Sequence, residues 1–196
     1  MLPLLALDQL VSLELSTAYN FGSRLTPGGY PLQQLLPPGL QQLTFRYIHV
    51  PANLVLPKGL TSLRIEEWSI RQLRDADSEF PDDIYARLPA LPPGLQSLTV
   101  AFSYMADTCA FLKLGTLPPS LQYLEVSIPA SDCWGMVDLQ GLLESLRVLR
   151  IKEGMSPTNL VALPPHLEVL ELDYPQNVQM PPLPQSLRQF RTGGLF

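Results

Sequence analysis

The chain has 196 residues, the length of one domain, and a formal net charge of −5, the wrong sign for binding nucleic acid by neutralising phosphates. Leu, Ile, Val and Phe supply 63 of its residues, enough to bury a core, but no run reaches the roughly 18–20 consecutive apolar residues of a bilayer span. Leucine (40) and proline (21) are the two residue types in excess.

The chain starts MLPLLALDQLVSLEL, apolar but with no Lys or Arg before the leucine run and no small-residue cleavage site, so a structural unit is expected there rather than a leader. The segment LVSLEL from Leu10 is the second half of a decapeptide that then recurs along the chain. It reads LPPGLQQLTF from Leu36, LPKGLTSLRI from Leu56, LPPGLQSLTV from Leu91 and LPPSLQYLEV from Leu117. LLESLRVLRI from Leu142, LPPHLEVLEL from Leu163 and LPQSLRQFRT from Leu183 complete the set. Eight units, starting near residues 6, 36, 56, 91, 117, 142, 163 and 183, cover 1–196 as a single domain. The leucine at the fifth position of the block falls at Leu10, Leu40, Leu60, Leu95, Leu121, Leu146, Leu167 and Leu187, with spacings of 30, 20, 35, 26, 25, 21 and 20.

Each block ends in two apolar residues two positions apart, the period of a strand with one buried face. A unit this small cannot bury that face alone, so successive units are expected to stack with their strands parallel. With strands about 4.8 Å apart, eight of them make an arc about 34 Å long. The prolines ahead of each strand suit a turn or extended entry, because proline lacks the amide donor that a central strand needs. The predicted fold is therefore a mostly-β solenoid of α/β type with one parallel sheet of about eight strands. Its backs are expected to be extended or 3₁₀, with few short helices. The longer returns, Glu66 to Ala90, Ala101 to Thr116 and Ser127 to Gly141, have room for a helical turn or a projecting loop.

These blocks resemble the leucine-rich repeat family, whose common form is LxxLxLxxN. LPPxLxxLxL is more closely similar to the short repeats of bacterial secreted effectors, with MPPLPQSLRQF from Met180 the best local match, and to the FNIP-type repeats of protists. The sequence departs from these families at the asparagine three residues after the last strand hydrophobe. Ala18, Ile48, Trp68, Ser103, Pro129, Gly154, Pro175 and Leu195 stand there, so the turns are expected to be held by backbone contacts or water. The resemblance implies protein binding on the strand face, with no shared chemistry. Some of the effectors append a ubiquitin-ligase domain, for which no length is expected here after the eighth unit.

Residues flanking the core hydrophobes face outward in columns. The middle column runs Glu14, Thr44, Arg64, Thr99, Glu125, Arg150, Glu171, Arg191, alternating in sign over its last four members. This is either a self-neutralising ladder or a polar docking strip. The preceding column places Tyr123, Val148 and Val169 on consecutive strands, an apolar patch ringed by charge of the kind interfaces use. The candidate protein-binding residues are therefore Tyr123, Glu125, Val148, Arg150, Val169 and Glu171. Trp68 and Trp134, which fall in insertions, are either plugs over the core or interface anchors. The acidic stretch from Glu66 to Asp83 is a solvated loop or a contact for a basic partner.

No catalytic, cofactor or metal site is expected. His49 and His166 are the only histidines, and the sequence holds no HExxH, CxxC, calcium-loop or phosphate-loop pattern. A Cys133–His166 dyad lacks a glycine-framed nucleophile motif. Cys109 and Cys133 are too few for a disulfide framework and point to thiols in a reducing, intracellular compartment, cytoplasmic or organellar, with a single bridge left open. Few charged residues cover the ends, with Leu2, Leu4, Leu5 and Leu7 at the front and Phe190, Leu195 and Phe196 at the back, so at least one end is expected to dock onto a protein or a second copy. The function expected is a non-catalytic interaction or scaffold module, an accessory subunit of a larger complex. The alternative is a secreted bacterial effector that binds a host protein.

Overall fold

The structure is a computed structural model that describes residues 9–16, 36–48, 50–68, 84–102, 110–127, 135–152, 155–173 and 180–193. Among these residues twelve strands form and no α-helix does. They are β1 (Ser12–Ser16), β2 (Gln42–Arg46), β3 (Ser62–Trp68), β4 (Ile84–Arg87), β5 (Ser97–Phe102) and β6 (Ala110–Lys113). The remainder are β7 (Tyr123–Ser127), β8 (Gly135–Asp138), β9 (Val148–Lys152), β10 (Met155–Thr158), β11 (Val169–Leu172) and β12 (Gln189–Thr192).

Each decapeptide block supplies one strand of an open, parallel, eight-stranded sheet in the order β1-β2-β3-β5-β7-β9-β11-β12. Equivalent block positions align at every junction: Leu43 opposite Leu63, Leu98 opposite Leu124, Leu149 opposite Leu170. The register slips at one place, between Ile65 and Trp68 on β3, where the longest return begins. Two backbone features recur. At the head of each of the seven complete blocks, the leucine N–H donates to the carbonyl three residues back, as from Leu40 to Pro37 and Leu121 to Pro118, at 3.0 to 3.2 Å. Pro38, Pro93, Pro119 and Pro165 occupy the second turn position, where the fixed φ of proline fits. The third position holds Gly39, Gly59 and Gly94, none with positive φ, and equally Ser120, Ser145, His166 and Ser186. A turn that accepts all of these is of type I. Next, one carbonyl of each block accepts two N–H groups from the following block: Gln41 and Gln42 donate to Val11, Arg147 and Val148 to Gln122, Arg188 and Gln189 to Glu168, all at 2.7 to 3.0 Å.

The inward rows form one apolar core. Leu40, Leu60, Leu95, Leu121, Leu146 and Leu167 are buried, as are Leu43, Leu63, Leu98, Leu124, Leu149 and Leu170, and the third row of Phe45, Ile65, Val100, Val126, Ile151 and Leu172. At the sheet edges the same rows are incompletely covered. Leu10, Leu13, Leu15 and Leu187 are half-buried, and Phe190 is 44% exposed.

The returns correct the sequence-based expectation of a single sheet with helical turns or loops behind it. Within three long returns and the 21-residue one lie β4, β6, β8 and β10, which pair as a second parallel sheet in the order β10-β8-β6-β4. Leu112 and Leu114, Val137 and Leu139, and Met155 turn inward and join the same core. The shorter return between β2 and β3 makes no strand. Gly115 and Gly141, with φ of 67° and 77°, turn the chain out of β6 and β8 in a conformation that costs a side chain energy.

The missing asparagine also has a physical substitute. The Ser120 hydroxyl, with one proton to share, lies 2.6 Å from the Pro93 carbonyl and 2.7 Å from the Leu95 carbonyl. Ser186 lies in the same way 2.8 Å from Pro165 and 2.7 Å from Leu167, and Ser145 donates to Leu121 at 2.8 Å. Serine at the turn thus ties these three blocks to the ones before them. A second polar link joins the ends of β8 and β10, where the Asp138 Oδ1 accepts from the Gln140 N–H and the Asn159 amide, both at 3.0 Å.

Leu124→Ala is expected to cost about 2–5 kcal/mol of unfolding free energy in urea titrations, and Leu187→Ala measurably less, because its site already meets solvent. Ser120→Ala is expected to cost about 1 kcal/mol, the worth of a typical hydrogen bond.

Candidate functional site

The pairing of the eight-stranded sheet puts the outward residues into the columns expected from the blocks. Tyr123, Val148, Val169 and Gln189 align across β7, β9, β11 and β12, and all are half-buried. Beside them Glu125, Arg150, Glu171 and Arg191 align in the same register.

These charges contact one another. Arg150 Nη1 lies 3.6 Å from Glu125, its Nε 3.3 Å from Glu171, and Arg191 reaches Glu171 at 3.9 Å. Lys152, one column further along β9, reaches Glu125 at 3.4 Å. The Tyr123 hydroxyl donates to Glu125 and accepts from Arg150 Nη1 at 3.2 Å, while the guanidinium carbon sits 5.7 Å from the tyrosine ring centre. The Arg150 Nε is buried and, despite its closeness to Glu171, is not aligned for a hydrogen bond. That leaves a donor aimed within the ladder but unused.

Burial acts to raise the Glu125 carboxyl, but the Tyr123 hydrogen bond and the Lys152 and Arg150 cations outweigh it and hold it below its ordinary value. Tyr123 is shifted upward, first by burial and then by the adjacent carboxylate, with Arg150 opposing. For Arg150 burial opposes the charge, and Tyr123, Glu125 and Glu171 together raise it above its usual value.

A second charged cluster, not foreseen as a unit, lies across β1, β2 and β3. Arg46 grips Glu66 through Nε at 3.0 Å and Nη2 at 2.7 Å, and Arg64 holds the other oxygen of Glu66 at 3.1 and 2.8 Å. Burial raises the Glu66 carboxyl, and the two arginines more than reverse it. Arg46 and Glu66 align on neighbouring strands, so the pair was legible in the third outward column. Glu66 and Trp68 prove to be residues of β3 rather than of an insertion, with Trp68 aligned to Phe102. Between the two clusters β5 presents only short side chains: Ser97 and Ala101 half-buried and Thr99 buried.

Trp134, His49, Cys109, Cys133, the acidic stretch beyond Trp68 up to Asp83, and the terminal Leu2, Leu4, Leu5, Leu7, Leu195 and Phe196 lie outside the described residues. His166 is exposed in the turn before β11. Among the described residues no three His, Cys, Asp or Glu side chains gather as a metal ion would require, and no helix is long and apolar enough to cross a membrane. No family model matches the chain, and no curated protein or solved structure matches it either.

Because the folded-state pKa of Glu125 is depressed, its stabilising contribution is present above the unfolded carboxylate value and fades as pH falls through the folded one. Glu125→Gln is therefore expected to flatten the acid side of the stability–pH profile, measured by urea unfolding. Tyr123→Phe is expected to move the Glu125 carboxyl back toward its ordinary value in an NMR titration.

Proposed function

We propose that the chain is a non-catalytic leucine-rich-repeat solenoid that binds a protein partner through the outward face of its eight-stranded sheet and serves as a scaffold or accessory subunit of a larger assembly. The repeat reading draws its support from the blocks themselves: one strand per block, one turn type and one register across seven junctions. The observation that carries the binding reading is the half-buried row of Tyr123, Val148 and Val169 beside the paired charges Glu125, Arg150 and Glu171. An apolar centre with a polar rim is the arrangement that protein interfaces use. The rim is already ordered by its own ion pairs, so a partner that re-pairs it orders few further side chains. We place this activity in a reducing compartment inside a cell, in keeping with only two cysteines.

The test is affinity capture with the intact chain and two variants, followed by measured affinities for the proteins recovered. Val148→Asp with Val169→Asp alters the face and leaves the Tyr123–Glu125 contact in place. Val161→Asp changes a residue 82% exposed in a return. A partner expected of this reading loses at least tenfold in affinity with the first variant and nothing with the second, while the melting temperature stays within a few degrees. Equal affinity for both variants would rule the face out.

A further inference from the structure

We propose that copies of this chain associate head to tail, with β12 of one copy adding in parallel beside β1 of the next. The contact uses the sheet edges and none of Tyr123, Glu125, Val148, Arg150, Val169 or Glu171, so it stands or falls separately from the partner-binding reading.

Every junction within the sheet follows one recipe, and its two halves are presented at opposite edges. Internally, the carbonyl at block position six accepts two N–H groups from the next block. On the last block that position is Arg188, and no described strand follows it. On the first block the matching donors are Val11 and Ser12, and no described strand precedes them. The backbone of β12 is oriented for this. Gln189 and Gly193 donate back toward β11, to Glu168 and Leu172, so by alternation Phe190 and Thr192 turn their N–H and C=O groups away from it.

The side chains agree with the backbone. In the row that holds Leu124, Leu149 and Leu170 at 0% exposure, the last member, Phe190, is 44% exposed and the first, Leu13, only half-buried. Continuing the register sets Phe190 beside Leu13 and Leu187 beside Leu10. It also sets Arg191 beside Glu14, so the alternation Glu125, Arg150, Glu171, Arg191 gains the acidic member it lacks. Both groups are available: their side chains are 68% and 55% exposed, and among the described residues each has a loose partner, Arg191 to Glu171 at 3.9 Å and Glu14 to Arg46 at 3.8 Å. Arg188 would lie over Val11, which is 48% exposed, its aliphatic stem covering the valine. A second copy is the occupant because β1 offers donors and apolar rows at the positions each internal strand does, and sets at Glu14 the acidic neighbour that Arg150 finds in Glu125 and Glu171. Such a contact is heterologous, so it extends into a ring or a filament rather than stopping at a two-fold dimer.

Sedimentation velocity of the full chain, from low micromolar to near-millimolar concentration, tests the inference. The average mass is expected to rise with concentration past that of a dimer. Glu14→Arg and Arg191→Glu, each folded by circular dichroism, are each expected to weaken association at least tenfold by placing like charges together. Mixing the two variants in equal amounts restores opposite charges at the junction and is expected to restore association. Thr192→Pro removes an outward-facing N–H at the edge, where proline is tolerated, and is expected to leave a monomer whatever the charges do. A wild-type chain that stays monomeric throughout, one that stops at a dimer, or association indifferent to the charge reversals and to Thr192→Pro would overturn the proposal.

Discussion

A leucine and a second apolar residue on one side of a short strand have no partner within their own unit, and the molecule is organised around that deficit. Leu124 is covered because Leu98 and Leu149 flank it in register, and each of those depends in turn on its own neighbours. Burial here belongs to the stack rather than to a block, which makes stability a sum over neighbouring contacts. The doubled hydrogen bond into one carbonyl at each junction holds that alignment. A slip of one residue would turn the leucine rows outward.

The front sheet was legible because one decapeptide carries all of its determinants: proline for the turn, leucine at two inward positions and another hydrophobe at a third, mostly polar residues between. The strand order, the register and the outward columns follow from counting within the block, and Tyr123, Val148 and Val169 fall together for that reason. The second sheet was not read. Its residues lie in returns of unequal length that share no decapeptide, and segments such as AFLK and GMVD are short enough to pass for loop. A signal was present in the apolar residue three positions before several blocks, at Leu88, Leu114, Leu139 and Leu160, with Leu112 and Val137 two residues earlier in strand alternation. The cluster of Arg46, Glu66 and Arg64 was likewise visible in principle. It was missed because Glu66 was counted with the acidic stretch that follows it.

The serine bridges illustrate how a structural need can be met at a different place from the one a family pattern suggests. Without an asparagine after the strand, adjacent blocks are linked before it, by hydroxyls on the type I turn. Gly59 and Gly94 stand at the same position without a hydroxyl, so the link is an addition to the turn and not a condition for it. The acceptors it uses, at Pro93 and Leu95 or Pro165 and Leu167, are carbonyls that the strand ladder leaves available.

Blocks separated by 20 to 35 residues nonetheless meet the sheet in nearly the same register, and among the described residues part of the extra length forms the strands of the second sheet. Segment length on that side is thus decoupled from geometry on the other. Inserting or deleting a complete unit would change the reach of the array while leaving the local surroundings of most surviving units as they were, so its span can be reset in steps of one strand.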